Sequence, residues 1–135
     1  NILKEYEKEG IITYHGLIMD VREVLSYTHC TVHPSYYPEG ISNVLLESAA
    51  SGRPLISTDR SGCREVIDDG VNGYIIPQRD TKALIEAVEK FLSLDNEKRR
   101  QMGLAGREKV RREFNRECVI NAYLEQMSCV NEREI

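Results

Sequence analysis

The chain has 135 residues, of which 41% are hydrophobic and 30% are charged, and its formal net charge at pH 7 is -4. This composition is typical of one soluble globular domain with a core of ordinary size. The acidic balance disfavours a general nucleic-acid surface, which needs a basic stripe, and no apolar run approaches the ~20 residues of a membrane span.

The chain begins with NILKEYEKEG, without an initiator Met, and this segment reads as the end of a helix. We therefore expect the chain to be a piece of a longer protein. Four β-rich runs follow, at residues 11–16, 30–34, 54–58 and 73–77. Because they are continuous rather than alternating, they are typical of strands buried on both faces of a parallel sheet.

Helical segments separate these runs. Asp20 opens the first helix and has Glu23 three residues on, which is a capping-box arrangement. Ser42 opens the second helix, which ends at Gly52, and a shorter turn of helix is expected before Gly70. The alternation of strand and helix predicts an α/β fold, with a Rossmann-like parallel sheet and flanking helices.

After Pro77 the pattern becomes entirely helical. Asp80 and Asp95 are expected to cap two helices. The second of these is highly charged, and because its acidic and basic residues interleave we expect a solvated helix rather than a binding patch. A last helix, with an apolar face, is predicted from about Asn115, so the chain ends in a helical C-terminal tail.

The cysteines indicate no metal or redox site. Cys30, Cys63, Cys118 and Cys129 form no CxxC pair, and the three histidines share no metal-ligand spacing. Zinc and redox sites usually have closer spacing, so free thiols in a reducing compartment are expected. The sequence thus predicts no metal and no cofactor, and it predicts a cytoplasmic location.

The segment YPEGISNVLLE places Glu39 and Glu47 around seven uncharged residues, where a loop becomes a helix. The first N–H groups of that helix have no intrahelical partner and lie at the positive end of its dipole, so they can bind phosphate. Gly40 would let a ligand approach the backbone. Two carboxylates that accept hydrogen bonds from hydroxyls on either side would suit a nucleotide sugar, although two unrelated surface glutamates remain an alternative.

The run from His33 to Asp80 closely resembles the C-terminal, donor-binding domain of family-4 retaining glycosyltransferases, which have the GT-B fold. The pair Glu39 and Glu47 matches the family signature, and the segments that match in order around it are Pro34-Ser35, ESAASGRP, STD and DGVNGYIIP. The resemblance extends over residues 1–130 and is of the type that builds bacterial surface polysaccharides. It implies transfer of a hexose from a nucleoside-diphosphate sugar to a saccharide or lipid-linked acceptor.

The same resemblance implies roles for individual residues. Glu39 should be catalytic and lie near the anomeric centre of the donor, and Glu47 should bind the ribose hydroxyls. The backbone positions implied in donor binding are Gly40, Ile41 and Ser42 for the sugar, Asn43 and Val44 for the diphosphate, and Gly16 and Leu17 beside the base. No metal is implied.

The resemblance further implies a domain organisation and partners. Residues 1–114 would form the donor-binding domain without its first strands, and residues 115–135 a helix that packs back toward an N-terminal domain. That N-terminal domain would bind the acceptor, so the chain alone is expected to lack transferase activity. The expected donor is a UDP-sugar, no nucleic acid is expected, and the full-length protein could be peripheral at the inner membrane face.

Other functions receive less support. A dinucleotide-binding dehydrogenase is disfavoured because no G-x-G-x-x-G follows any predicted strand. A non-catalytic nucleotide-sugar-binding module remains the main alternative. Asp59, after a strand end, is a weaker ligand candidate, while Arg64 is expected to pair with Glu65 or Asp68 on the surface. His33 is expected to pack beneath the site.

The edges of the sheet lead to a further prediction. In the doubly wound order, the four runs would be strands 3 to 6, which leaves the apolar run 30–34 with an unpaired edge. We expect run 11–16 to pair beside run 30–34, connected by the helix at 20–28. A homodimer through the exposed edge is the second expectation, and aggregation the third.

Overall fold

The computed structural model describes residues 2–38 and 40–131, with side chains described as far as residue 128 in the last helix. All the predicted helices except the short one before Gly70, and three of the four predicted strands, are present, which confirms the α/β class and the helical C-terminal tail. The elements in chain order are α1 (Ile2–Lys8), α2 (Val21–Tyr27), β1 (Thr31–His33), α3 (Asn43–Ala50), β2 (Leu55–Thr58), β3 (Gly73–Ile76), α4 (Thr81–Ser93), α5 (Asn96–Glu113) and α6 (Arg116–Asn131).

The three strands form a parallel sheet in the order β1-β2-β3. Every residue of the central strand β2 is buried. Its successive side chains point to opposite faces, so Leu55 belongs to one hydrophobic cluster and Ile56 to another. Helix α3 supplies Leu45 and Ala49 to the first cluster, and α4 supplies Phe91 to the second. Burial on both faces explains why the strand sequences are continuous rather than alternating.

Helix α5 crosses the end of α3 so closely that the two backbones are in contact. A Cβ atom added to Gly103 would lie 2.1 Å from the carbonyl oxygen of Gly52, which has a positive φ of 72°. One turn further along α5, a Cβ on Gly106 would make only ordinary contacts, the nearest at 3.4 Å to Asn72 Cβ. The two glycines of α5 therefore differ: Gly103 is required by the close approach, and Gly106 is not.

Helix α5 is also held by a buried cation. Lys109 is only 8% exposed, and its Nζ lies 2.6 Å from Asp68 Oδ1 and 3.4 Å from Glu113 Oε2. The buried Asn72 amide orders the same loop, since it donates to Val66 O at 3.0 Å and its oxygen accepts from the Asp68 N–H at 2.8 Å. The prediction of a solvated charged helix is thus right for most of α5 but wrong for Lys109.

Aspartates begin three of the helices, as predicted. The carboxylate of Asp20 accepts from the Arg22 N–H, that of Asp80 from Ala83 N–H at 2.9 Å, and that of Asp95 from Lys98 N–H at 2.8 Å. Each bond satisfies a first-turn donor that has no intrahelical acceptor. Short polar residues before apolar periodicity are thus reliable markers of helix starts in this chain.

The pairing predicted for residues 11–16 is wrong. The segment forms no strand, and β2 is the only strand that pairs with β1 among the described residues. Residues 11–16 lie instead against α1 and α2: the Tyr14 N–H donates to Glu7 Oε1 at 3.0 Å, and His15 contacts the Tyr27 ring. Only its first two residues are aliphatic, so the segment has little apolar surface to bury on two sheet faces.

Three further sequence-based expectations, on the segment before Gly70, on membrane-spanning helices and on the last helix, can be compared with the structure. The segment before Gly70 forms a series of turns rather than a helix. Within the part of the chain that is described, no helix has both the length and the apolar character to cross a membrane. The apolar side chains of α6 that were expected to share one face are all exposed; they are Val119, Ile120, Tyr123, Leu124 and Met127.

We predict that Gly103→Ala destabilises the protein by about 1–3 kcal/mol, because the new methyl group cannot fit against the Gly52 carbonyl without a shift of the helix. Gly106→Ala is the matched control, and it should be neutral or stabilising by up to about 1 kcal/mol through its effect on the unfolded chain. Urea unfolding of the two variants and the parent measures both effects. Equal destabilisation by the two substitutions would contradict the close approach of α3 and α5.

Candidate functional site

The candidate site lies where the carboxyl ends of the three strands meet, at one edge of the sheet. Two hydroxyl groups at the end of β2 fix the loop that follows β1. Ser57 Oγ donates to the carbonyl oxygen of His33 at 2.6 Å, and Thr58 Oγ1 donates to that of Ser35. The first residues of the loop are therefore held by side chains of the neighbouring strand.

Arg60 connects three loops at this edge. Its Nε donates to the Tyr37 carbonyl at 2.7 Å, and its Nη1 donates to Gln78 Oε1 at 3.2 Å. The Gln78 amide in turn donates to the Asp59 carbonyl at 3.0 Å. The sequence patterns do not single out Arg60, because its partners lie 18 and 23 residues away and one of its two acceptors is a backbone oxygen. Its position directly after a strand end is the one available signal.

The start of α3 is held by the loop after β2. The Ser42 N–H donates to the Gly62 carbonyl at 2.8 Å, and the Gly62 N–H donates to Glu65 Oε2 at 2.7 Å. Leu45 and Cys63 are both fully buried in the cluster beneath this contact. The first turn of α3 is therefore fixed from below, while Gly40, Ile41, Asn43 and Val44 are exposed.

Ser42 has an unusual hydroxyl group. The residue is the N-cap of α3 but makes no side-chain capping bond, and its Oγ is buried without a hydrogen-bond partner among the described residues. Its backbone N–H is already engaged by Gly62. Buried polar groups in native proteins are nearly always paired, so the orphan hydroxyl makes Ser42 a candidate ligand contact.

Glu47 lies further along α3 and lines a cavity with the segment from Ile18 to Arg22. The cavity encloses about 550 Å³. Glu47 is exposed and forms no ion pair among the described residues. Gly16 and Leu17 lie immediately before the lining segment and are exposed, with Leu17 93% accessible. The two elements that were predicted to flank the ribose and the base are thus adjacent in the fold.

The other charges of this cavity neutralise each other. Arg22 Nε and Nη2 donate to the Asp20 carboxylate at 2.8 and 2.6 Å. Hydrogen bonds from the Arg22 side chain and backbone lower the pKa of Asp20 to about 2. Asp20 is therefore ionised at neutral pH and paired, which leaves Glu47 as the carboxylate available to hydroxyl groups of a ligand.

Tyr36 and Tyr37 form a wall beside the loop. Their rings are 4.4 Å apart and their hydroxyl groups 3.0 Å apart, and the Arg79 guanidinium lies 4.8 Å from the Tyr36 ring centre. The Tyr36 side of this wall borders a cavity of about 240 Å³ beside the start of α4. The loop thus presents two packed aromatic rings on this side of the site.

Several further predictions can be placed. Glu39, the predicted catalytic residue, lies outside the described residues. Asp59 is exposed and pairs with Arg64 at 2.8 Å. Of the two partners expected for Arg64, Glu65 lies farther away at 4.0 Å, and Asp68 pairs with Lys109 instead. His33 is half-buried at the end of β1. Among the described residues no cluster of three or more potential ligands could hold a metal ion.

The chain is similar to known transferases over most of its length. The profile described as Glycosyl transferases group 1 matches residues 1–109. The lipopolysaccharide core biosynthesis glycosyltransferase LpsE of Rhizobium meliloti is 31% identical over 119 residues, covering 88% of this chain and 34% of the relative. The putative colanic acid biosynthesis glycosyltransferase WcaL of Salmonella typhimurium is 28% identical over 125 residues, covering 87% of this chain and 31% of the relative.

A solved structure supports the fold. HepE of Anabaena in complex with UDP superposes with a TM-score of 0.83 at 18% identity, over 95% of this chain and 36% of that protein. The chain therefore spans about a third of the length of the proteins that it matches.

We predict that Ser42→Ala leaves the stability of the free protein unchanged or raises it by up to about 1 kcal/mol, because it removes a buried hydroxyl that has no partner. Asp80→Ala is the contrasting control, and it should cost about 1 kcal/mol because that carboxylate does cap its helix. Thermal and urea unfolding of both variants are the measurements. If Ser42→Ala destabilises as much as Asp80→Ala, the hydroxyl has a structural partner and is not reserved for a ligand.

Proposed function

Because the chain belongs to the group 1 glycosyl transferases, we propose that it is the nucleotide-sugar-binding part of a retaining hexosyltransferase. The donor is a nucleoside-diphosphate sugar, and a UDP-sugar is favoured. The reaction transfers the hexose to a saccharide or lipid-linked acceptor. Support comes from relatives named for lipopolysaccharide and colanic acid synthesis, and from the likeness to a structure that contains UDP.

The observation that carries this proposal is the arrangement along α3. The helix begins beside the orphan Ser42 hydroxyl, and Glu47 follows four residues after Asn43, about 6 Å along the helix axis. A diphosphate at the helix start and ribose hydroxyls at Glu47 would be separated by a similar distance. The Asn43 and Val44 N–H groups, which have no intrahelical acceptor, are the proposed diphosphate donors.

The helix end also explains how the chain could assist bond cleavage. Negative charge develops on the departing diphosphate, and fixed N–H dipoles aimed at that position stabilise it without reorganisation. The loop from Gly40 to Ser42 is proposed to hold the sugar, and Glu39 to lie near the anomeric centre. Gly16 and Leu17 are proposed beside the base, at the mouth of the cavity that Glu47 lines.

The remaining parts of the reaction are proposed to involve residues outside this chain. An N-terminal domain would bind the acceptor, and α6 would pack against it with its exposed apolar side chains. Residues 1–114 would then act as the donor-binding domain, and alone they would not transfer sugar, because catalysis needs both domains. We further propose a cytoplasmic location, peripheral to the inner membrane face, and contact between two copies through the edge of β1.

We predict that Glu39→Gln in the full-length protein lowers kcat by at least about 100-fold, the scale of a lost transition-state interaction in an active site. UDP binding should stay within twofold of the parent protein, because the nucleotide is held by α3. Steady-state transfer assays and calorimetric titration with UDP measure the two quantities. If Glu39→Gln turns over at the parent rate, Glu39 is not catalytic. If the parent protein itself binds UDP-sugar but never transfers the sugar, the non-catalytic binding module is favoured instead.

We predict that Glu47→Gln raises the Kd for UDP about tenfold, which corresponds to the loss of a hydrogen bond to a charged group. Glu89→Gln on α4 is the matched control, since Glu89 is also an exposed helical glutamate but lies away from the cavity. Calorimetric titration with UDP and with uracil distinguishes ribose recognition from base recognition. An unchanged Kd for UDP in the Glu47 variant would remove the ribose contact from the proposal.

A further inference from the structure

A separate cavity lies at the opposite end of α3 from the candidate donor site. It encloses about 340 Å³ between the residues that directly follow α3, the segments that precede β1 and β2, and helix α5. Since α3 has eight residues, the two sites are separated by about 12 Å along its axis. The strands of a parallel sheet run from this end toward the donor site, so the cavity lies at the amino edge of the sheet.

The side chains around this cavity are strongly basic. Four arginines line it, namely Arg53, Arg99, Arg100 and Arg107, together with His29. Among the described residues, Arg100 is the one of these arginines that pairs with a carboxylate, Glu97, at 2.9 Å. This positive charge is concentrated in one cleft of a chain whose net charge is -4. We call it the arginine cleft.

Two of the arginines are held in place by the fold. Arg53 Nη1 donates to the Thr28 carbonyl at 2.9 Å, and Arg99 Nη2 donates to the Leu92 carbonyl at 2.5 Å. The Arg99 guanidinium also lies 5.1 Å from the centre of the Phe91 ring. Their positions are therefore fixed before any ligand binds, which lowers the entropic cost of binding.

The backbone contacts do not use all the donors of these two arginines. Arg53 Nε and Arg99 Nε are buried and have no hydrogen-bond partner among the described residues. The guanidinium groups that the fold holds in place and the cavity that they line point to a ligand that carries negative charge and accepts several hydrogen bonds.

We propose that the arginine cleft binds the phosphate group of a small soluble molecule. Phosphate has the charge and the number of acceptor oxygens that several guanidinium groups can satisfy at once, and arginine binds it in a bidentate manner. The cleft is concave and of small-molecule size, which suits a soluble ligand better than a flat membrane surface. The site is distinct from the donor site, because none of its lining residues belongs to the loop or to the first turn of α3.

Arg107 gives the sharpest test, because it lines the cleft, is exposed, and makes no hydrogen bond or ion pair among the described residues. Arg107→Gln therefore removes charge without removing a structural contact. Arg111→Gln is the matched control, on the same helix and outside the cleft. The probe is inorganic phosphate, titrated against ¹⁵N-labelled protein at constant ionic strength set with chloride, with backbone amide shifts as the measurement.

We expect saturable shifts at residues 51–54 and 96–100, and a Kd at least about fivefold higher in Arg107→Gln than in the parent or in Arg111→Gln. Any shifts at residues 41–44 should be the same in all three proteins. The proposal is overturned if only residues 41–44 respond, or if the two variants bind alike. It is also overturned if phosphate gives no response while vesicles of phosphatidylcholine and phosphatidylglycerol bind the parent but not Arg107→Gln, since the ligand would then be a membrane.

Discussion

The candidate donor site depends on the hydrogen bonds by which the end of β2 holds the loop that follows β1. The hydroxyls of Ser57 and Thr58 donate to the carbonyls of His33 and Ser35, and Arg60 donates to that of Tyr37. A loop with unsatisfied carbonyls at a sheet edge would otherwise take many conformations, each paired with water. Because these donors lie on the fully buried strand β2 or shortly after it, they hold the first part of the loop, residues 33–37, against the sheet.

Helix α3 has one face in the hydrophobic core and another beside the candidate donor site. Its inner face places Leu45, Ser48 and Ala49 in the buried interior, and the Ser48 hydroxyl is satisfied locally by the Val44 carbonyl at 2.7 Å. Its outer face and its start remain accessible, with Glu47 beside a cavity. Ser42 and Ser48 are both buried, yet of the two only Ser42 lacks a hydrogen-bond partner among the described residues. That difference is the reason for proposing Ser42, and not Ser48, as a ligand contact.

The sequence predicts most of the fold and less of the site. Strands β1, β2 and β3 and the helix starts at Asp20, Asp80 and Asp95 follow from local patterns, because burial on two faces and N-capping are determined by neighbouring residues. Residues 11–16 have a strand-like composition, but a strand needs a partner edge, which a local pattern does not specify.

In the candidate site, too, local sequence patterns identify some residues and miss those whose partners lie far away in the chain. The segment around Ser42 and Glu47 stands out in the sequence, whereas Arg60 and the arginine cleft do not, because their geometry joins residues far apart in the chain. Arg53 and Arg107 come together only because α5 folds back onto the end of α3.

That return of α5 has a consequence for motion. Packed helices often adjust by sliding over each other, and such shear depends on side chains that can repack as the helices move. Where Gly103 meets Gly52, backbone touches backbone and no side chain can take up a displacement. Helices α3 and α5 must therefore move as one rigid body, so a shear of α3 cannot contribute to any closure over the candidate donor site.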